Sequence, residues 1–310
     1  MSALSDQAGD YLRLRRALGH NLDQAHRLLP DFVAYLDAIG AQTVTVEAAL
    51  VWAQRPDAGP ATSVWARRMT VARGFARHMT GVDPNTEIPP LGLVRFRQRR
   101  RPPFIYSAAD ITALMSAARR TIPTPLRAAT VETIIGLLAT TGMRIGEATT
   151  GFQRGDLDTA EGVITLRHSK FGKSRLVLLH ASALAALGSY AQMRDRLLPR
   201  PASTTFFVSI AGTRILDADF GKTFRRLLQV TGVGAGAPHR PRVHDMRHSF
   251  AVHTLVRWYR AGEDVGALVP RLSTYLGHRD VCSTFWYLSA APELLALAAG
   301  RLEADPEGRP

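Results

Sequence analysis

Across the N-terminal part of the chain, Leu12, Leu14, Leu18, Leu22, Leu28 and Leu29 recur at roughly helical spacing. Asp31 to Ile39 reads as a helix whose first turn is set by Pro30 and which Gly40 ends. Thr45 starts another, through Trp52. Ser63 to Met79 is more informative. Trp65, Met69 and Phe75 form a buried stripe there, while Arg67, Arg68, Arg73 and Arg77 supply a basic surface. The pattern then breaks at Asp83-Pro84-Asn85 and Pro89-Pro90. The run Arg95-Phe96-Arg97-Gln98-Arg99-Arg100-Arg101, closed by Pro102-Pro103, reads as an extended basic linker between domains.

Beyond the linker the periodicity is mixed. Ser107-Ala108-Ala109-Asp110 resembles a capping box opening a helix through Arg120. Leu126 to Thr141 is a helix ended by Gly142. Val163 to Leu166 and Arg175 to Leu179 are β-rich runs on either side of His168-Ser169-Lys170-Phe171-Gly172-Lys173, which is a hairpin pattern. Further helices are expected at Ser182–Leu197, Ala218–Val230, His244–Arg260, Pro270–Leu276, Val281–Leu288 and Pro292–Leu302. The glycines between 232 and 236 are not followed by Gly-Lys-Ser/Thr, so they do not read as a phosphate loop. The expected class is α+β and mostly helical: a helical bundle over 1–94, the linker over 95–103, and a mixed domain with a small antiparallel hairpin over 104–310.

Composition sharpens this. A length of 310 residues suits two domains, and 46% hydrophobic with 21% charged residues is ordinary globular composition. The formal net charge is +13 and the pI about 10.8, which points to a polyanionic partner, most often nucleic acid. A basic surface kept for solubility is the plain alternative. Only Lys170, Lys173 and Lys222 are lysines, so two of three stand within one short hairpin of a chain that elsewhere writes arginine. One cysteine, Cys282, excludes a disulfide framework or a cysteine zinc cluster and reads as a small buried residue. No apolar run approaches the ~20 residues that span a bilayer. No leader is readable at the start of the chain, so a cytoplasmic, nucleoid-associated protein is expected, with no membrane partner.

Four local signals carry chemistry. In Thr141-Gly142-Met143-Arg144-Ile145-Gly146-Glu147, an arginine just after a helix-ending glycine, with Glu147 three places on, suits a rigid anion clamp. The second is the Lys170–Lys173 hairpin. The third is His244-Asp245-Met246-Arg247-His248, where His244 and Arg247 share a helix face. The fourth is Gly277-His278 with Tyr287 nine positions later. Singly, each has an ordinary reading as surface or core. His244 and His248 lack the glutamate of a His-Glu-x-x-His zinc helix, so no metal is expected.

Together, the order Arg…Lys…His-x-x-Arg…His…Tyr, matched by Arg144, Lys170, His244, Arg247, His278 and Tyr287, resembles the tyrosine site-specific recombinases, the phage-integrase family. The resemblance covers Phe104 to Leu302, and more weakly the family's helical core-binding domain over residues 10–80. It implies a site-specific recombinase, an enzyme that cleaves and rejoins double-stranded DNA through a 3′-phosphotyrosine on Tyr287, with no cofactor. In that scheme His244 takes the phenolic proton, and Arg144, Arg247 and His278 hold the phosphate. Lys170 protonates the leaving 5′-oxygen, with Lys173 a backbone contact and the runner-up for that role. Glu147 and Asp245 orient Arg144 and the start of the His244 helix. Arg67, Arg68, Arg73, Arg77, Arg95, Arg97, Arg99, Arg100 and Arg101 are the candidate DNA contacts. Tetrameric assembly on two sites follows from the same resemblance, as do a C-terminal helix docked on a neighbour and accessory recombination proteins.

The chain departs from the family where Leu178 replaces a frequent proline, where Ala148-Thr149-Thr150-Gly151 replaces apolar residues, and where Asp156 is displaced by one. Two alternatives stay open. One is a type IB topoisomerase-like enzyme that relaxes DNA; the other is a catalytically silent DNA-binding regulator. The helix carrying Leu294, Leu295, Leu297 and Leu302 must bury its apolar side in cis or in trans.

Overall fold

The computed structural model describes residues 2–300 except 21, 60–61, 95–100, 168–173, 279, 281, 283, 286, 288–293 and 298. The chain divides into two compact units, Met1–Arg101 and Pro102–Pro310.

The first unit holds α1 (Ala3–Ala17), α2 (Asp23–Ala38), α3 (Val46–Ala53) and α4 (Val64–Met79). Its core is built on Leu29, Phe32, Leu36, Trp52 and Phe75, all fully buried. Burying the Trp52 indole leaves its N–H needing a partner, and it donates to Asp31 Oδ2 at 2.8 Å. Thr45 caps α3 by accepting from the Ala48 N–H. Pro30 does not open α2; it lies inside it. The buried residues Ala25, Leu29, Phe32, Val33 and Leu36 run through the proline at helical spacing, and their burial outweighs the one hydrogen bond that proline lacks.

The second unit is mostly helical with a small antiparallel sheet, the α+β class expected. It contains α5 (Ala108–Thr121), α6 (Pro125–Thr141), α7 (Ala181–Leu197), α8 (Asp217–Thr231), α9 (Asp245–Arg260) and α10 (Val265–Leu276). The capping box forms at Ser107 and Asp110. α6 is apolar around its circumference, with Leu126, Val131, Ile134, Ile135, Leu137 and Leu138 all buried, and α5, α7 and α9 pack around it. Its end at Gly142 is left-handed, with φ 63°. A Cβ there would come within 2.6 Å of the Phe250 ring, so both the dihedral and the packing require glycine. One wide π turn, Glu147–Gly151, follows.

Strands β1 (Leu157–Asp158), β2 (Val163–Leu166) and β3 (Arg175–Leu178) pair antiparallel in that order. Ile164 lies opposite Val177, and Leu166 opposite Arg175. β1 is absent from the sequence expectation, because two residues carry no periodicity of their own.

α9 and α10 build a second core with Leu255, Val269 and Leu276, and it includes Tyr287 and Leu294. α10 begins at Val265, capped by Asp264, rather than at Pro270, and for the same reason as at Pro30: Val265, Val269, Leu272 and Leu276 continue one buried face. Parts of the two helices expected after residue 280 lie outside the described residues. Of their apolar stripe, Leu294 is buried in the chain's own core, Leu295 is exposed and Leu302 is outside the described residues. Cys282 is exposed, contrary to its reading as a buried residue; its backbone N–H donates to Asp280 Oδ1 at the surface. Among the described residues no helix is long and apolar enough to cross a membrane.

Candidate active site

Two helix ends meet in the second unit and set the site. Helix C-termini carry unsatisfied carbonyls and partial negative charge, which attract cations. Arg247, on the first turn of α9, donates Nη1 to the Gly142 carbonyl at the end of α6, at 2.9 Å. Its Nη2 donates to the Leu276 carbonyl at the end of α10. Arg144 donates Nη2 to the Gly277 carbonyl at 3.2 Å. Both guanidiniums thus rest on main-chain carbonyls. Arg247 is 2% exposed and, among the described residues, meets no carboxylate directly. Burial first, and then the charge of Arg144, push its guanidinium down to about 10.

Glu147 is the one acid that touches this cluster among the described residues. Arg144 donates to it twice, through Nη1 at 2.7 Å and through its backbone N–H at 2.8 Å. Burial raises the Glu147 carboxyl, but Arg175 and then Arg144 outweigh that and hold it at about 2. Asp245 is buried; it accepts from the Arg242 backbone N–H and guanidinium, which fixes the turn that delivers His244 to the head of α9. Beside Arg144 and His244 opens a cleft of about 450 Å³, lined also by Glu147, Thr150, Arg167 and Asp217.

Tyr287 lies within the α9–α10 core at 2% exposure. Its ring centroid is 5.3 Å from that of His248 and 6.0 Å from that of His278. His248 in turn meets the His244 ring edge-on at 4.8 Å. His278 shares a 2.7 Å hydrogen bond between its Nδ1 and Thr284 Oγ1. Burial and then the arginine field push His278 down to about 4. Burial and then the neighbouring His244 take His248 to about 3. His244 stands at the mouth of the cleft. Partial loss of water and then Arg247, only partly offset by Asp245, hold its imidazole below the ordinary value. All three rings are therefore neutral near pH 7. Among the described residues no group of three or more His, Cys, Asp or Glu is placed to hold a metal ion.

The structure thus brings Arg144, Glu147, Arg247, His278 and Tyr287 together, with His244 beside Arg144 in the cleft and the His248 ring against both His244 and Tyr287. Lys170 and Lys173 lie outside the described residues. Two participants escape the sequence reading. His248 figures there only as half of a zinc pair. Arg175 stands on the inward face of β3, across from buried Leu166, and an arginine on the buried parity of a short strand is a readable signal.

The basic helix needs correction. Arg68 is buried on α4, paired with Asp57 through Nη1 at 2.9 Å and lying over the Trp52 ring, so it is not a surface cation. Arg73 is half-buried and donates to the Pro89 and Pro90 carbonyls at 2.7 and 2.8 Å, tying the following loop to α4. Arg67 and Arg77 are exposed, as is Arg101. Arg95, Arg97, Arg99 and Arg100 lie outside the described residues.

Residues 106–293 match the model of the phage integrase family. A putative integrase/recombinase from Sinorhizobium fredii (strain NBRC 101917 / NGR234), y4rB, is 44% identical over all of both chains. The chain belongs to the phage integrase family. Tyrosine recombinase XerD of Pseudomonas aeruginosa is 29% identical over 93% of each chain. Among solved structures, the Tn1549 transposon integrase in complex with transposon right end DNA aligns with TM-score 0.65 at 18% identity, covering 96% of this chain and 98% of that one. The XerH site-specific recombinase bound to palindromic difH substrate gives 0.62 at 17% identity, over 84% of this chain and 70% of that one. These likenesses show that the fold is shared across the family.

Proposed function

We propose that this protein is a site-specific DNA recombinase, a strand transferase that works through a covalent tyrosine–DNA intermediate. The observation that carries this is the grouping of Arg144, Arg247 and His278 around Tyr287, in a chain whose family relatives are named integrases and recombinases. Those names favour strand exchange over relaxation or silent binding.

The chemistry follows from the residues. Tyr287 Oη attacks the scissile phosphorus, the Tyr–O–P bond forms and the P–O5′ bond breaks. The phenolic proton passes to His244, and Lys170 returns a proton to the 5′-oxygen. A tyrosine of ordinary pKa about 10 is only ~0.1% ionised at neutral pH, so the step needs this base and a positive field. Arg144 and Arg247 neutralise the phosphate oxygens as charge builds and His278 adds a hydrogen bond to them, each such donor contributing about 2.7–4 kcal/mol. Attack by the 5′-hydroxyl of a partner strand reverses the step and frees Tyr287. One ester replaces another throughout, so no nucleotide triphosphate is consumed. A tyrosine buried in its own core cannot reach a duplex phosphate as it stands. Engagement of DNA therefore includes withdrawal of Tyr287 from the α9–α10 core.

We assign residues 1–94 to core DNA binding, with Arg67 and Arg77 the exposed phosphate contacts of α4, and residues 95–103 to a backbone-tracking linker. Lys173 joins them from the hairpin. Assembly is a tetramer on two DNA sites serving a mobile element. The direct test is an exchange assay on two labelled duplexes carrying DNA that flanks the gene. Recombinant strands are expected. Relaxation of a supercoiled plasmid carrying the same DNA, without joining of the duplexes, would overturn the assignment in favour of a topoisomerase.

A further inference from the structure

Among the described residues three guanidiniums crowd the site, those of Arg144, Arg175 and Arg247, against the single Glu147 carboxylate. Arg175 closes side-on over both oxygens of that carboxylate. Its Nη1 donates to Oε1 and its Nη2 to Oε2, both at 2.7 Å. Arg144 adds a side-chain bond to Oε1 and a backbone bond to Oε2. Four donors come close to filling the lone pairs of one carboxylate. The Arg175 side chain is 9% exposed, and its Nε has no hydrogen-bond partner among the described residues. Gly277 closes it in from the other side. A Cβ at Gly277 would lie 3.1 Å from Arg175 Nη1, and the Gly277 carbonyl is the one that takes Arg144 Nη2.

We infer that Arg175 is a positioning residue that keeps Arg144 available to the scissile phosphate by occupying Glu147. Side-on, bidentate closure onto a carboxylate is the strongest pairing open to an arginine. With Arg175 in place, the Arg144 guanidinium reaches one oxygen of Glu147 and rests its other nitrogen on a carbonyl, which an incoming anion displaces readily. Without Arg175, an ionised Glu147 faces Arg144 alone and draws its whole fork away from the DNA. The inference rests on Arg144 being a phosphate ligand, and it places a further requirement on β3, the strand that follows the hairpin carrying Lys170.

Single-turnover cleavage on three substrates tests it: an ordinary scissile phosphate, a methylphosphonate lacking the negative charge that Arg144 neutralises, and a phosphate with a 5′-bridging sulfur. Arg175→Gln is expected to slow cleavage of the ordinary phosphate roughly a hundredfold, with DNA affinity held within about twofold. The defect should shrink on the methylphosphonate and persist on the sulfur substrate. Arg175→Gln combined with Glu147→Gln should cleave faster than Arg175→Gln alone, because a neutral amide in place of the carboxylate no longer traps Arg144. Arg175→Lys keeps the charge without the fork; it should show the same pattern in milder form, and it serves if the Arg175→Gln variant does not fold. Rescue by the sulfur substrate would instead mean that Arg175 acts on the Lys170 hairpin. A defect equal on all three substrates, with no gain from the second substitution, would mean that it only holds the fold. Either result overturns the inference. Absence of any covalent adduct with the unaltered protein would overturn the underlying reading of the site, and this inference with it.

Discussion

Arg68 and Arg247 are both buried arginines on helices, one in each unit, and they are held in opposite ways. Arg68 meets a carboxylate. Its hydrogen bond to Asp57 raises its pKa, and the pair is internally neutral. Among the described residues Arg247 meets only carbonyls, and burial together with Arg144 lowers its pKa. A buried cation with its own acid is compensated within the fold, whereas Arg247, among the described residues, is not. In sequence the two look alike, because each stands near apolar residues on a helix. The difference is made by partners elsewhere in the chain, and it separates a fastening in the first unit from the proposed phosphate site in the second.

The sharpest way to break this comparison is to neutralise both. Arg247→Gln should reduce single-turnover cleavage by about 100- to 1,000-fold while leaving the melting temperature within a few degrees, since an uncompensated charge has been removed. Arg68→Gln should leave cleavage intact and lower the melting temperature by roughly 5 °C. If Arg247→Gln unfolds the protein and Arg68→Gln slows cleavage, the two roles are reversed. Leu294→Ala comes next. Its site is 1% exposed in the core that holds Tyr287, so the loss should be about 2–4 kcal/mol of stability in a denaturant titration. A smaller loss would mean that the segment packs elsewhere.

The pH dependence sharpens the same contrast. His244, His248 and His278 all titrate below the ordinary imidazole value, and Arg247 contributes to each shift. A lowered pKa keeps the neutral, proton-accepting form at lower pH. The acid limb of the cleavage rate should therefore fall below about pH 6.5, and residual activity of Arg247→Gln should show that limb moved upward. A limb that stays put would remove the arginine field from the account. The smallest effect is expected on α4. Replacing Arg67 and Arg77 by alanine should reduce the log–log salt slope of DNA binding by about 0.9 for each phosphate no longer neutralised, whereas Arg68→Gln should leave the slope unchanged.

Local signals are legible in the chain. Thr45, Ser107 and Gly142 mark helix ends because caps depend on one or two neighbouring residues. Prolines mislead: Pro30 and Pro270 look like starts, yet a buried face continuing across each keeps the helix intact. Arg68 also falls on the stripe of Trp65, Met69 and Phe75, so its burial is written in the same periodicity that places it outside. The order Arg144, His244, Arg247, His278, Tyr287 is readable as a set. The burial of Tyr287 and the grip of Arg175 on Glu147 are not, because both depend on strands and helices far apart in sequence coming together.

The central claim is that Tyr287 carries the DNA. A nicked duplex that loses the short strand beyond the cut would trap the covalent complex, and digestion followed by peptide mass analysis would locate the nucleotide. A 3′-phosphate ester on Tyr287 is expected, with a free 5′-hydroxyl on the released strand, and no adduct with Tyr287→Phe. A nucleotide on Tyr259 or on Tyr275, whose hydroxyl burial pushes up to about 12, or an adduct that survives Tyr287→Phe, would contradict it.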